Sequence, residues 1–311
     1  MIRLFNILLA CMVVVFLAVG SAAAEAKTYR GEYTLSYLGL TVGRLNFDSR
    51  VDPESYSIKG TVAAAGMGAL FDDTKGTLAA SGRFSGEATR PTRFRADYMS
   101  GRKATIVDIS FSGGDVTETI NVPPLKKRRG KGWTPLGADD LKAAADPIAA
   151  TLIRAPSLGK VCGRRARMFD GELRADLTLK PVSTGTASIK GFSGETVTCS
   201  MRVTPVAGYR KGRRSLEFLR TKSRIMVTFA QLGRTGVYAP IRATIGTEIG
   251  TITIKARRFE ALKEPVWKIL HPRPSDGVFC ASGAHVPKRT LRSGSRKHHH
   301  MTRGSEFRNR L

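Results

Sequence analysis

The sequence predicts a mainly β fold, a strongly curved antiparallel or barrel-like sheet with one kinked helix or two short helices. Three observations carry this prediction. Between residues 27 and 260, apolar and polar residues alternate with period two in one segment after another, as in strands with one dry and one wet face. The links between these segments are short, roughly two to six residues, as in hairpin-built sheets and barrels. A single stretch, residues 138 to 155, switches to helical spacing.

Taken in order, Tyr29, Gly31, Tyr33, Leu35 and Tyr37 alternate with Arg30, Glu32, Thr34 and Ser36. Gly39 turns the chain into a second strand over 40–51, and the cluster Asp52-Pro53-Glu54-Ser55 turns it again. Tyr56, Ile58, Gly60 and Val62 share one face of a third strand, and 63–70 (AAAGMGAL) suits either a tight loop or a short helix. Strands are expected over 74–84, 92–99, 103–112 and 116–122, the last two joined at Gly113-Gly114-Asp115. In 138–155, Leu141, Ala144, Ala145, Ile148, Leu152 and Ile153 recur at helical spacing. Pro147 interrupts the run, with Asp146 suited to cap a new helical start. Further strands are expected over 161–169, 172–179, 186–190, 196–206, 216–219, 225–230, 237–244 and 250–259, with a basic loop at 208–214.

Asp170-Gly171 predicts a two-residue hairpin loop. After it, Leu173, Ala175, Leu177 and Leu179 form the apolar face, opposite Glu172, Arg174, Asp176 and Thr178.

Both ends of the 311-residue chain fall outside this pattern. Residues 1–26 have the form of a secretory signal: Arg3, an apolar run from Ile7 to Val19, then small residues at 22–26. The competing reading is a retained anchor, for which the run is shorter than the roughly 20 residues of a spanning helix. Residues 27–260 form one β-rich domain. Residues 261–311 show no sustained period, and their composition predicts a basic, disordered tail.

The net charge is +26; 11 Lys/Arg against 3 Asp/Glu give the tail +8, the first 26 residues cancel, and +18 remains on 27–260. Such a charge points to anionic partners. In an exported protein these are anionic lipid or glycolipid rather than nucleic acid. Two basic runs stand out: Lys126, Lys127, Arg128, Arg129 and Lys131 with Trp133 behind them, and Arg210, Lys211, Arg213 and Arg214. Cations beside an aromatic suit a membrane interface; the alternative is a pair of solvated loops.

All five histidines lie in the tail. The domain therefore lacks the base of a Ser-His-Asp or Cys-His nucleophile system and the imidazoles of a His-liganded zinc site. No phosphate-binding or dinucleotide-binding fingerprint is present. No catalytic residue, metal site or cofactor is expected. Paired carboxylates are the chemistry left open: Asp170 with Glu172, Asp72-Asp73 and Asp139-Asp140. Each has a structural alternative, as turn residue, strand flank or helix cap. Cys162 and Cys199 are expected to form a disulfide, which fits an oxidising compartment.

Several segments carry a resemblance. They are YTLSYLGLTVGRL from Tyr33, DDLKAAADPIAATL from Asp139, CGRRARMFDGELRADLTL from Cys162, TCSMRVTPVAGY from Thr198, and VYAPIRATIGTEIGTITIKARRFEA from Val237. Together they resemble the exported bacterial family called domain of unknown function 3108. The resemblance implies an exported, mainly β protein of a Gram-negative bacterium, and brings no activity and no catalytic residues. Residues and resemblance together lead to a periplasmic, non-enzymatic protein that binds a lipid or another apolar or anionic envelope ligand. A structural or interaction protein of the envelope and a carboxylate-dependent hydrolase are the alternatives.

Overall fold

A computed structural model describes residues 27–70, 73–126 and 130–262. The chain rises and falls through seven consecutive antiparallel strands: Lys27–Tyr37 (β1), Leu40–Val51 (β2), Ser55–Ala64 (β3), Lys75–Ser85 (β4), Ala88–Ser100 (β5), Lys103–Ser112 (β6) and Asp115–Val122 (β7). Short pieces follow: Trp133–Thr134 (β8), Ala144–Ala145 (β9), Ile153–Arg154 (β10) and Arg165–Phe169 (β11). The sheet resumes with Arg174–Ile189 (β12), Phe192–Ala207 (β13), Tyr209–Arg210 (β14), Ile225–Gln231 (β15), Val237–Thr247 (β16) and Gly250–Leu262 (β17). The spatial order runs from β7 back to β1, then β17, β16, β15, β13, β12, β11 and β9. The result is a nearly closed, barrel-like sheet.

The two free edges meet across a seam. Ala144 N–H donates to Gly114 O at 2.8 Å, Asn121 Nδ2 donates to Gly171 O at 3.1 Å, and Arg164 pairs with Glu87 at 2.5 Å. These contacts use the edge groups that an open sheet would leave for another chain.

Residues 138–155 do not form the expected helices in full. A 3-10 turn spans Ala138–Leu141, and β9 and β10 occupy later parts of the stretch. Between them lies one helical turn. Asp146 Oδ1 caps it by accepting the N–H groups of Ile148 and Ala149 at 2.8 and 3.0 Å, and Ala150 N–H donates to Asp146 O at 2.9 Å. The cap and the Pro147 start therefore stand. The helix stops because Ile153 and Arg154 pair instead with Tyr238 and Val237 of β16. Its apolar residues fill the barrel: Ala144, Ala149 and Leu152 are buried in one core with Tyr56, Phe94, Ile109 and Phe169.

Among the described residues the α-helix is Arg214–Thr221 (α1), where a basic loop and a strand over 216–219 were expected. Leu216, Phe218 and Leu219 are half-buried. Three apolar positions in so short a run fit either period, and packing against the end of β13 decides for helix.

The Asp170-Gly171 hairpin also differs from expectation. Phe169 pairs with Arg174, so the loop has four residues. Asp170 Oδ1 accepts the N–H groups of Glu172 and Leu173 at 3.0 and 2.7 Å, which replaces a tight two-residue turn by a side-chain-closed one. Gly171 takes φ +101°. Arg174, expected on the wet face, is fully buried. Its Nε donates to Asp140 O at 3.1 Å, and the guanidinium pairs with Asp176 at 2.7 Å. The expected strands over 172–179, 186–190 and 196–206 are parts of the long β12–β13 hairpin. Pro181 is tolerated there because it sits at a bulge, where the register shifts between Pro181 and Ser183.

The antiparallel order gives the barrel two distinct ends. The described connecting residues 38–39, 65–70, 73–74, 101–102, 123–126, 130–132, 170–173, 208–224 and 248–249 lie at one end, here called the mouth. The turns at 52–54, 86–87, 113–114, 190–191 and 232–236 lie at the other.

Candidate functional site

The described segments beside the two basic runs, far apart in sequence, meet at the mouth. Tyr209 pairs with Thr134 and Arg210 with Trp133, forming a two-stranded ribbon from β8 and β14. Lys211 N–H donates to Gly132 O at 2.8 Å, and Gly208 N–H donates to Thr134 O at 2.8 Å. Gly132 (φ +80°) and Gly212 (φ +77°) supply the left-handed positions that let both loops turn beside the ribbon. Lys126, Lys131, Arg210, Lys211, Arg213 and Arg214 are exposed, and Trp133 is half-buried. Arg213 precedes α1, and Arg214 lies 3.8 Å from Glu248. Lys127, Arg128 and Arg129 lie outside the described residues.

Behind this ribbon is a cavity of about 970 Å³. Lys126, Trp133 and Arg210 form one wall, Asp170 and Glu172 another, and Ala96, Tyr98 and Val107 of β5 and β6 a third. Burial raises the Asp170 carboxyl above its ordinary range, against two backbone N–H groups that hold it down.

A second cavity, about 330 Å³, lies on the concave face of the sheet and is almost wholly apolar. Its wall can be followed strand to strand by register: Leu45 opposite Tyr33, Ile254 opposite Ala243, Ala243 opposite Val227, and Ile225 opposite Met201. Period two on neighbouring strands thus places one apolar residue after another on the same wall. Tyr33 is anchored by its O–H, which donates to Pro240 O at 2.9 Å, and burial raises its pKa. Toward the mouth, Leu45, Met201, Ile245 and Ile254 are only half-buried, whereas Tyr29, Ile58 and Leu152 deeper in are buried. The Asp146-capped turn stands between the two chambers: Pro147 lines the larger, and Ile148 and Thr151 line the apolar one. Leu177 and Leu179, on the apolar face of the Asp170 hairpin, line a separate seam cavity with Ala144 and Arg164.

The carboxylates considered for catalysis have structural tasks. Asp170 closes its own loop, and Asp139 pairs with Lys142 at 2.7 Å. Asp140 Oδ2 accepts Gly137 N–H at 2.8 Å, and Asp73 Oδ1 accepts Gly101 N–H at 2.6 Å. Asp72 lies outside the described residues. Among the described residues no group of three or more His, Cys, Asp or Glu could hold a metal ion; all five histidines lie outside them.

Among the described residues, two buried charged groups that are left partly unpartnered emerge only from the fold. Asp146 is fully buried, and burial outweighs its backbone hydrogen bonds, raising its carboxyl to about 6. Its Oδ2 and the O–H of Tyr56 are both buried without a hydrogen-bond partner, and the charge of Asp146 adds to the burial that raises the Tyr56 pKa. Arg174 is the other, with one terminal nitrogen unpartnered. Proximity to Pro147 and to a turn made Asp146 legible as a cap, but nothing local marked either residue as buried.

Cys162 and Cys199 are joined, with Cα atoms 5.8 Å apart. The bond ties the segment leading into β11 to the buried face of β13. It fits an oxidising, exported compartment. No helix among the described residues is long and apolar enough to cross a membrane.

The chain matches the family described as Protein of unknown function (DUF3108) over residues 32–257, and it belongs to that family. A comparison with curated proteins found no match. Among solved structures, the chain is similar to a β-barrel-like protein of domain of unknown function DUF1849 from Brucella abortus. The identity is 11%, the coverage 76% of this chain and 99% of that one, and the TM-score 0.44. It is also similar to the hypothetical protein CT021 from Chlamydia trachomatis, at 12% identity, with 76% and 89% covered and a TM-score of 0.25.

Proposed function

From a DUF3108 chain with these two chambers, we propose a periplasmic, non-enzymatic binding protein. It takes an amphipathic anionic ligand, with the apolar part in the smaller chamber and the anionic group beside Lys126 and Arg210. The observation that carries this reading is the apolar chamber of about 330 Å³ on the concave face. Cavities of about 300–1,000 Å³, mostly apolar with a few polar groups, are typical of small-molecule sites. A barrel that needed its interior only for stability would fill it, because an unfilled apolar void costs stability.

The test is uptake of a fluorescent fatty acid by the purified protein, with native mass spectrometry of the same sample for co-purified lipid. Ala243→Trp fills the chamber from a half-buried wall position and is expected to abolish uptake while near-UV circular dichroism and the unfolding midpoint persist. No uptake by the wild type, or equal uptake by the folded Ala243→Trp variant, refutes the reading.

A further inference from the structure

The two ends of the barrel differ in surface chemistry. Leu38, Leu40, Leu70 and Ile249 are 64, 56, 71 and 77% exposed, and Met67 and Met99 are also exposed. All six stand on or beside connections at the mouth. The turns that carry them are fastened to one another. Leu38 N–H donates to Thr251 O at 3.2 Å, Tyr37 O–H donates to Ile249 O at 2.5 Å, and Gly101 N–H donates to Asp73 at 2.6 Å. The apolar side chains therefore project from an ordered rim.

The same end is basic. Arg102, Lys103, Lys222 and Arg224 are exposed on or beside its connections, in addition to the ribbon-flanking cations already described. Among the described residues of these connections the opposing charges are Asp73, Glu172, Glu217, Glu248 and the part-buried Asp170; Glu217 pairs with Arg220 at 2.5 Å. At the opposite end, the turns 52–54, 86–87, 113–114, 190–191 and 232–236 carry Asp52, Glu54, Glu87, Lys190 and Arg234, and their one large apolar residue, Leu232, is buried. One exposed leucine has no meaning by itself. Six large apolar side chains on one rim, interleaved with cations, have the composition of a surface that inserts at a lipid interface and is held by anionic headgroups. A second copy of the same rim would place cations against cations, which disfavours self-association through it.

We propose that the mouth end docks on an anionic lipid bilayer, with the apolar turns in the interface and the basic loops on the headgroups. The barrel interior then opens against the membrane. The proposal deepens the ligand-binding reading and rests on it for what the docked barrel takes up; docking itself rests on the rim.

The experiment is vesicle flotation of the full chain with pure phosphatidylcholine and with phosphatidylcholine containing phosphatidylglycerol. The readout is the difference between the two, because the apolar segment at 1–26 would favour neither vesicle. Wild type is expected to prefer anionic vesicles, and added salt to weaken that preference. The variant Leu38→Asn/Leu70→Ser/Ile249→Ser removes three insertion points, with asparagine chosen because Leu38 has φ +48°. It should lose about tenfold or more of the affinity for anionic vesicles. Lys211→Ser/Arg213→Ser/Arg214→Ser should lose the anionic preference, and Val182→Ser, an exposed apolar position away from the rim, should lose nothing. Absence of an anionic preference in wild type overturns the proposal. So does undiminished binding by the folded apolar variant, which would assign the charge to the tail at 261–311, shared by every variant, or to a soluble polyanion. Fatty-acid uptake without vesicles separates the two readings: rim variants should retain it, whereas Ala243→Trp should lose it and still dock.

Discussion

Burial of Asp146 makes a signed prediction about stability and pH. The carboxyl titrates near 3.8 when unperturbed and at about 6 in the folded protein. A raised folded-state pKa in an acid means that the native state holds the proton more tightly than the unfolded chain does. This group therefore destabilises the fold progressively as pH rises from about 3.8 to about 6, after which the cost is constant. The separation, 6 less 3.8, at about 1.36 kcal/mol per unit, gives a cost of about 3 kcal/mol at neutral pH. Asp146→Asn keeps the Oδ1 acceptor that caps Ile148 and Ala149. It also places a neutral N–H₂ group where the charged Oδ2 now lacks a partner, which removes the charge that acts on Tyr56. Asn and Asp cap helical turns about equally well. The variant should thus gain on wild type as pH rises, by about 2 kcal/mol between pH 4.5 and 7.5, where most of the folded-state ionisation falls. Urea unfolding of both proteins across that range measures the gap directly, and the other carboxylates cancel in the difference. A gap that does not change with pH, or that closes toward neutrality, refutes the account of Asp146 as a charge buried at a cost.

The remaining predictions concern elements that hold the seam and the barrel wall. Removing the Cys162–Cys199 bond by the double serine variant closes off its 37-residue loop constraint and should cost up to about 4 kcal/mol in the chain-entropy account; an unchanged urea midpoint would count against it. Arg174→Ala should destabilise by about 3 kcal/mol, because it empties a fully buried site and leaves Asp140 O without its donor. Arg174→Met, which keeps the stem volume, should recover part of that loss, and equal losses in the two variants would show that packing is not what the stem provides.

The fold was legible wherever a strand had one wet face. β1 to β7, β15 and β17 lie close to their expected positions because alternation is a local property of the chain and needs no partner to be read. The family resemblance, the cap at Asp146 and the Cys162–Cys199 pair were also legible. Legibility ended where tertiary contacts chose between near-equal local options. Residues 138–155 have helical spacing, yet Ala144, Ala145, Ile153 and Arg154 pair with neighbouring strands, because backbone partners are offered there by β11 and β16. Residues 214–221, where period alone leaves helix and strand open, form a helix packed against β13 and β16. The strands expected separately over 172–179, 186–190 and 196–206 belong to one hairpin that runs through a bulge at Pro181.

The candidate site shows the same division. The sequence by itself determined which residues are basic, which strand faces are apolar and where histidine is missing from the domain. It could not determine that Trp133 and Arg210 pair across a ribbon, or that the exposed leucines and cations share one end of the barrel. Nor could it place Asp146 and Arg174 in the interior. Charge and periodicity are carried by the chain, whereas burial and convergence are set by residues brought together from far along it, and only the closed sheet does that.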